Sequence, residues 1–146
     1  MAPRPAVAAV VQYDRPMQKP IGGLVHGVLD YAMVIVLAVG PSIAVFRGKQ
    51  ALICYGLAFV HFLLTIITRF PLGVSKVLPF PMHGAIELVV AILLVVLPWL
   101  ANFFNGVHSR NFFIAIGLLI FVIWLLTDYR SRRSADPAVD PEATVR

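Results

Sequence analysis

The chain has 146 residues, enough for one compact domain, of which 60% are hydrophobic and only 13% charged, with a mean hydropathy of +0.87. Soluble domains carry roughly a quarter charged residues, so this composition excludes an ordinary water-soluble globule and points to a membrane protein. The net charge of +5 does not imply a nucleic-acid partner, because no basic face interleaved with aromatic residues accompanies it.

Residues 1–20, "MAPRPAVAAVVQYDRPMQKP", hold one short apolar patch and no small-residue cleavage site, and are read as a retained cytoplasmic arm. Four apolar segments follow, at about Ile21–Phe46, Ala51–Thr68, Met82–Ala101 and Phe112–Thr127. A helix crossing a hydrocarbon core of ~30 Å needs about 20 residues, so the expected fold is all-α: a polytopic membrane four-helix bundle. Pro20 and Pro81 suit the first positions of helices one and three, where a missing N–H costs nothing. Asn105–Gly106 signals a turn between helices three and four. Residues 130–146 are polar and rich in Pro, Ala and charge, and read as a disordered cytoplasmic tail. Cys54 is the single cysteine, which excludes intramolecular disulfides and CxxC sites and leaves it as a small core or lipid-facing residue.

Basic residues set the expected orientation. Arg4, Arg15 and Lys19 lie in the arm, Arg69 and Lys76 near the middle connection, and Arg130, Arg132, Arg133 and Arg146 in the tail; the other two connections hold only Arg47, Lys49 and Arg110. The positive-inside bias places both termini and the Phe70–Pro81 loop in the cytoplasm of a cell whose inner membrane the protein spans. A basic surface that grips anionic lipid is the sharper reading of the tail.

Displacing the chain by 57 residues sets "HGVLDYAMVIVLAVGPSIAVF" from His26 over "HGAIELVVAILLVVLPWLANF" from His83. His26 meets His83, Gly27 meets Gly84, Asp30 meets Glu87 and Pro41 meets Pro98. The second helices echo each other more loosely, with Thr68 over Thr127 and Arg69 over Asp128. Each repeat is therefore a helical hairpin, residues 21–70 and 82–129 joined by the loop 71–81. The halves run parallel about a pseudo-twofold along the membrane normal. A two-helix repeat that opens near His-Gly and closes near Pro-Trp resembles the SPW-repeat group of small bacterial membrane proteins, here through "GPS" at Gly40–Ser42 and "LPW" at Leu97–Trp99. The resemblance spans Ile21 to Asp128 and implies an architecture, with no established activity and no catalytic residue to carry over.

His26/Asp30 and His83/Glu87 are each spaced i,i+4, which puts both members of a pair on one helix face. Arg69 and Asp128 end helices two and four at the same level, so these six residues are expected at one depth. An ionisable group within a span costs ~2.5–3.5 kcal/mol at the centre on insertion scales and is a functional candidate by default. The leading reading is a polar layer that docks the hairpins, with Arg69 pairing to Asp30, Glu87 or Asp128. A second is haem b, with His26 and His83 as axial ligands on parallel helices. A third is a di-metal centre, although the spacing is not Glu-x-x-His and only two helices contribute. A fourth is proton or small-solute movement through Asp30 and Glu87, for which the outer half of the spans offers no matching acid.

His61, alone on helix two, reads as a hydrogen-bonded packing residue, and His108 as a solvated loop residue. Trp99 and Tyr129 fall at opposite interfaces, with Trp124 about a turn inside, as an aromatic belt requires. Gly23-xxx-Gly27 admits a close backbone neighbour; Gly84, Pro41 and Pro98 join it as helix-packing positions. No nucleophile elbow, phosphate loop or zincin motif is present. The expectation is a non-catalytic membrane protein, with no metal and no cofactor assigned. Its expected partners are the lipid bilayer and itself or other membrane subunits, and a haem-binding redox subunit is the alternative.

Overall fold

A computed structural model describes residues 19–129. The expected cytoplasmic arm, apart from its last two residues, and the expected disordered tail lie outside the described residues. Four helices make up the fold: α1 (Gly23–Ile43), α2 (Lys49–Ile67), α3 (Phe80–Leu100) and α4 (Val107–Leu126). All four are long and apolar enough to cross a membrane. Helix is the outcome that satisfies every backbone N–H and C=O of a lone segment without water, which overrides the modest helix propensity of its many Val and Ile residues.

Helix α4 starts at Val107 rather than at the apolar Phe112, because its first turn is closed by polar atoms. Ser109 Oγ and Arg110 N both donate to the Gly106 carbonyl, at 3.1 and 2.8 Å. His108 is therefore an exposed residue of that first turn.

The repeat persists at the level of single bonds. Phe46 N donates to Pro41 O and Phe103 N to Pro98 O. Between them Val45 and Asn102 both adopt positive φ, 52° and 53°, the left-handed position that ends many helices. At the opposite end, two isolated parallel bridges join the hairpins, Ile21 to Thr127 and Thr68 to Leu78. Their hydrogen bonds correspond: Ile21 N→Leu126 O matches Leu78 N→Ile67 O, and Asp128 N→Ile21 O matches Arg69 N→Leu78 O. Each hairpin thus ties the entry of its first helix to the exit of the other's second.

Large apolar side chains such as Ile35, Leu52, Phe59, Val89 and Leu118 face outward. The inside divides in two. Met33, Leu37, Ala58, Leu94, Phe113 and Ile116 fill one half, and His26, Asp30, His61, His83 and Glu87 the other. Polar groups inside and apolar groups outside are the pattern of a bundle whose solvent is lipid.

Small residues make these contacts close. A Cβ on Gly27 would fall 2.2 Å from the Phe70 ring, and one on Gly84 would fall 2.7 Å from the Tyr129 ring. Gly23 faces Pro71, Phe70 and Phe80, so the close neighbours of Gly23 and Gly27 belong to this chain. Pro41 lacks the N–H that Leu37 O would accept in a helix, and the Cys54 thiol donates to that carbonyl at 3.2 Å. Cys54 thus repairs a break on the neighbouring helix as well as packing.

Candidate functional site

His26 and His83 are each the fourth residue of their helix, and Asp30 and Glu87 each lie one turn further in. The crossed bridges bring the two faces together at the shared end of the bundle. His26 Nε2 lies 3.3 Å from Asp30 Oδ1 and 3.3 Å from Glu87 Oε2. His83 Nε2 lies 3.4 Å from Asp30 Oδ2 and 3.7 Å from Glu87 Oε1. Each carboxylate therefore stands between both imidazoles, one from its own helix and one from the other repeat. The histidines are 0% exposed and the carboxylate residues 3%, so bulk water does not solvate the group.

The other ring nitrogens are held across the repeats. His26 Nδ1 is 3.0 Å from Thr127 Oγ1, and His83 Nδ1 is 2.8 Å from Thr68 Oγ1. A hydroxyl has a single proton to give, and in both threonines it is committed: Thr127 donates to Ile123 O at 2.7 Å and Thr68 to Leu64 O at 2.6 Å. Each threonine must then accept from its histidine, which places the proton on Nδ1 and turns Nε2 inward. Those inward atoms are not satisfied by hydrogen bonds. His26 Nε2, His83 Nε2, His61 Nε2 and Asp30 Oδ2 are buried without a hydrogen-bond partner among the described residues.

Tyr129 completes the wall. Its hydroxyl donates to Glu87 Oε2 at 2.5 Å, and its ring packs on Phe80 and His26 at centroid distances of 4.9 and 5.3 Å. Burial, followed by the negative charge of Glu87, pushes the phenol pKa well above its usual value, so Tyr129 stays a proton donor to that carboxylate.

Four of the six residues expected in one layer, His26, Asp30, His83 and Glu87, form the cluster, and one oxygen or nitrogen from each falls within 4.8 Å of the others. Arg69 does not join it: the side chain is exposed and its Nε donates to Lys76 O at 2.6 Å. The reason is local. Thr68 ends α2 in an extended conformation (φ −80°, ψ 144°), and successive side chains of an extended segment point to opposite sides, so Thr68 faces in and Arg69 out. Thr127 is likewise extended, and half-buried Asp128 follows it with its backbone N–H on Ile21 O. His61 departs from the packing reading, since its Nε2 has no hydrogen bond and lies 3.8 Å from Asp30 Oδ1.

Thr68, Thr127 and Tyr129 are site residues that a reading by charged groups passes over. The threonines carried a signal in their shared repeat register; Tyr129 carried none that distinguished it from an interface aromatic.

Four membrane-length apolar helices closed around a buried His–carboxylate cluster define the class: a multi-pass helical membrane protein. Comparison with known protein families, with curated proteins and with solved structures finds no match.

Proposed function

We propose that this chain is a non-catalytic accessory protein of the inner membrane that holds one divalent transition-metal ion between its two hairpins, with His26, Asp30, His83 and Glu87 as ligands. The observation that carries the reading is the pair of threonine locks. Metal-bound histidines almost always donate their second ring N–H to an oxygen acceptor, which fixes tautomer and ring orientation. Here Thr127 and Thr68 accept those protons and leave the two Nε2 atoms turned inward on two carboxylates. Two carboxylates facing two imidazole nitrogens in a dry interior call for positive charge between them, which a metal ion, or else protons on the imidazoles, would supply.

Distance is compatible with the same reading. The four His–carboxylate contacts of 3.3, 3.3, 3.4 and 3.7 Å run to four different oxygens, and one ligand atom from each residue falls within 4.8 Å of the others; a tetrahedral ion with ligands at 2.0–2.1 Å would hold them about 3.3 Å apart, so the side chains would close in on it. A mixed nitrogen and oxygen set favours Zn2+ or Fe2+ over Mg2+ or Ca2+. Haem b between His26 and His83 has less support, because Asp30 and Glu87 occupy the space in front of both Nε2 atoms. Cytoplasmic termini rest on the basic-residue bias, and the repeat supports the likeness to SPW-repeat proteins in layout alone.

The test is elemental analysis and an absorption spectrum of the full chain purified in detergent. The expected result is close to one equivalent of a first-row divalent ion, lost in His26→Ala and in His83→Ala, with no Soret band. A Soret band would support haem instead, and a protein that neither carries nor takes up Zn2+ or Co2+ would overturn the metal reading.

A further inference from the structure

We infer that His61 is a third imidazole ligand, which makes the centre asymmetric and selects a transition ion over a hard, oxygen-seeking one. The inference rests on the metal reading and extends it to a residue outside the repeated pairs. His61 lies within two turns of the C-terminal end of α2 at Ile67, at the level of Asp30. Its Nε2 is buried, makes no hydrogen bond among the described residues, and is 3.8 Å from Asp30 Oδ1. That gap exceeds the ligand spacing of a four-coordinate ion by about half an ångström, and His61 lies outside the four residues whose ligand atoms fall within 4.8 Å of one another, so its ring would swing inward to reach an ion there. Its ring lies 6.4 Å from the His83 ring, centroid to centroid.

A buried imidazole with an unmet ring nitrogen costs free energy unless something at the site uses it. The repeat shows that the fold does not require it: the register that sets Thr68 over Thr127 sets His61 over Ile120, a buried apolar residue. An apolar side chain therefore fits that position in the other hairpin. The polar residue in α2 breaks the pseudo-twofold where it faces Asp30.

The remaining acceptors sort themselves around such an ion. Tyr129 donates to Glu87 Oε2, while Oε1 lies 3.7 Å from His83 Nε2; Asp30 turns Oδ1 to His26 and His61 and Oδ2 to His83. Three imidazoles and two monodentate carboxylates make a five-coordinate N3O2 set. Nitrogen-rich sets of this kind suit Zn, Fe, Cu and Ni and disfavour Mg and Ca.

Co2+ loading of the detergent-purified full chain reads the coordination number, because visible d–d bands strengthen as ligands are lost. In His61→Leu the bound Co2+ is expected to show stronger, shifted bands, with Zn2+ affinity lower by at least the 10–100-fold typical of losing an outer-shell partner. His61→Ala is expected to behave alike and to recover the wild-type spectrum when free imidazole is added, which a packing role would not allow. X-ray absorption of the Zn2+-loaded wild type needs no variant and should count three imidazoles. A wild type that binds one Co2+ with two imidazoles, or variants with wild-type spectrum and affinity, would overturn the role of His61 and leave the metal reading intact. A wild type that binds no metal would overturn the metal reading itself.

Discussion

Replacing Thr68 by Val keeps the side-chain shape and deletes the hydroxyl that accepts from His83 Nδ1 at 2.8 Å and donates to Leu64 O. Interhelical side-chain hydrogen bonds in membrane proteins average about 0.6 kcal/mol and reach about 1.7, because the unfolded chain in lipid finds other partners. Melting temperature should therefore fall by only a few degrees. Metal affinity should respond more strongly: losing an outer-shell partner costs 10–100-fold, or about 1.4–2.7 kcal/mol, because the freed ring loses both its tautomer and its orientation. Thr65→Val is the control. Thr65 is as buried as Thr68 and donates to the His61 carbonyl of its own helix at 2.8 Å, away from any histidine ring nitrogen. The assay is competitive Zn2+ titration of both variants against a chromophoric chelator, with the midpoint of thermal unfolding measured alongside. Thr68→Val should bind Zn2+ at least about tenfold more weakly than Thr65→Val at similar melting temperature. Equal affinities in the two variants would refute the argument that the threonines lock the imidazoles for a cation.

Tyr129→Phe removes the donor to Glu87 Oε2 while keeping the ring against Phe80; a loss of about tenfold in Zn2+ affinity is expected, read by the same titration. Gly27→Ala places a Cβ 2.2 Å from the Phe70 ring and should destabilise by about 1–3 kcal/mol, with part of the loss recovered in Gly27→Ala/Phe70→Leu, measured by unfolding in mixed micelles. Cys54→Ala strands the Leu37 carbonyl left open by Pro41 and should cost about 1 kcal/mol. In a Pro41→Ala background that cost should vanish, which a double-mutant cycle of unfolding free energies measures. Val45→Asn gives the first hairpin the residue that the second uses at the same positive φ and should raise stability by about 1 kcal/mol, seen as a higher melting temperature.

The helices and the two histidine–carboxylate pairs were legible because each depends on one-dimensional information: apolar run length, i,i+4 spacing and register between halves. Arg69 misled for a related reason. The register set it over Asp128 at the level of the cluster, but one extended residue, Thr68, decides which of two neighbours faces in, and hydropathy carries no sign of that rotation. His61 was hard to read because it has no counterpart in the second hairpin, so the repeat that singled out His26 and His83 passed over it. Tyr129 belongs to the site through a hydroxyl at the edge of the bundle, where tyrosine has an ordinary reason to be. Cys54 had the same ambiguity, and only the Pro41 break beside it shows what its thiol does.

Crossed bonding also explains how a cluster this polar coexists with the fold. His26 is held by Thr127 of the second hairpin and His83 by Thr68 of the first, and the backbone bridges cross in the same sense. Neither histidine finds its full set of partners in a single hairpin. With the hairpins apart, each histidine loses its threonine and one of its two carboxylates, so docking and the cluster form together. A cation bound only in the docked state would add about 4 kcal/mol to docking at a thousandfold excess over Kd, more than several interhelical hydrogen bonds of the size found in membranes. Within each hairpin the glycine contacts, Gly27 on Phe70 and Gly84 on Tyr129, are apolar and independent of any ion. On the metal reading proposed above, the free energy that responds to the ion would therefore be concentrated between the hairpins, and the two halves of the repeat are the units that an ion would join.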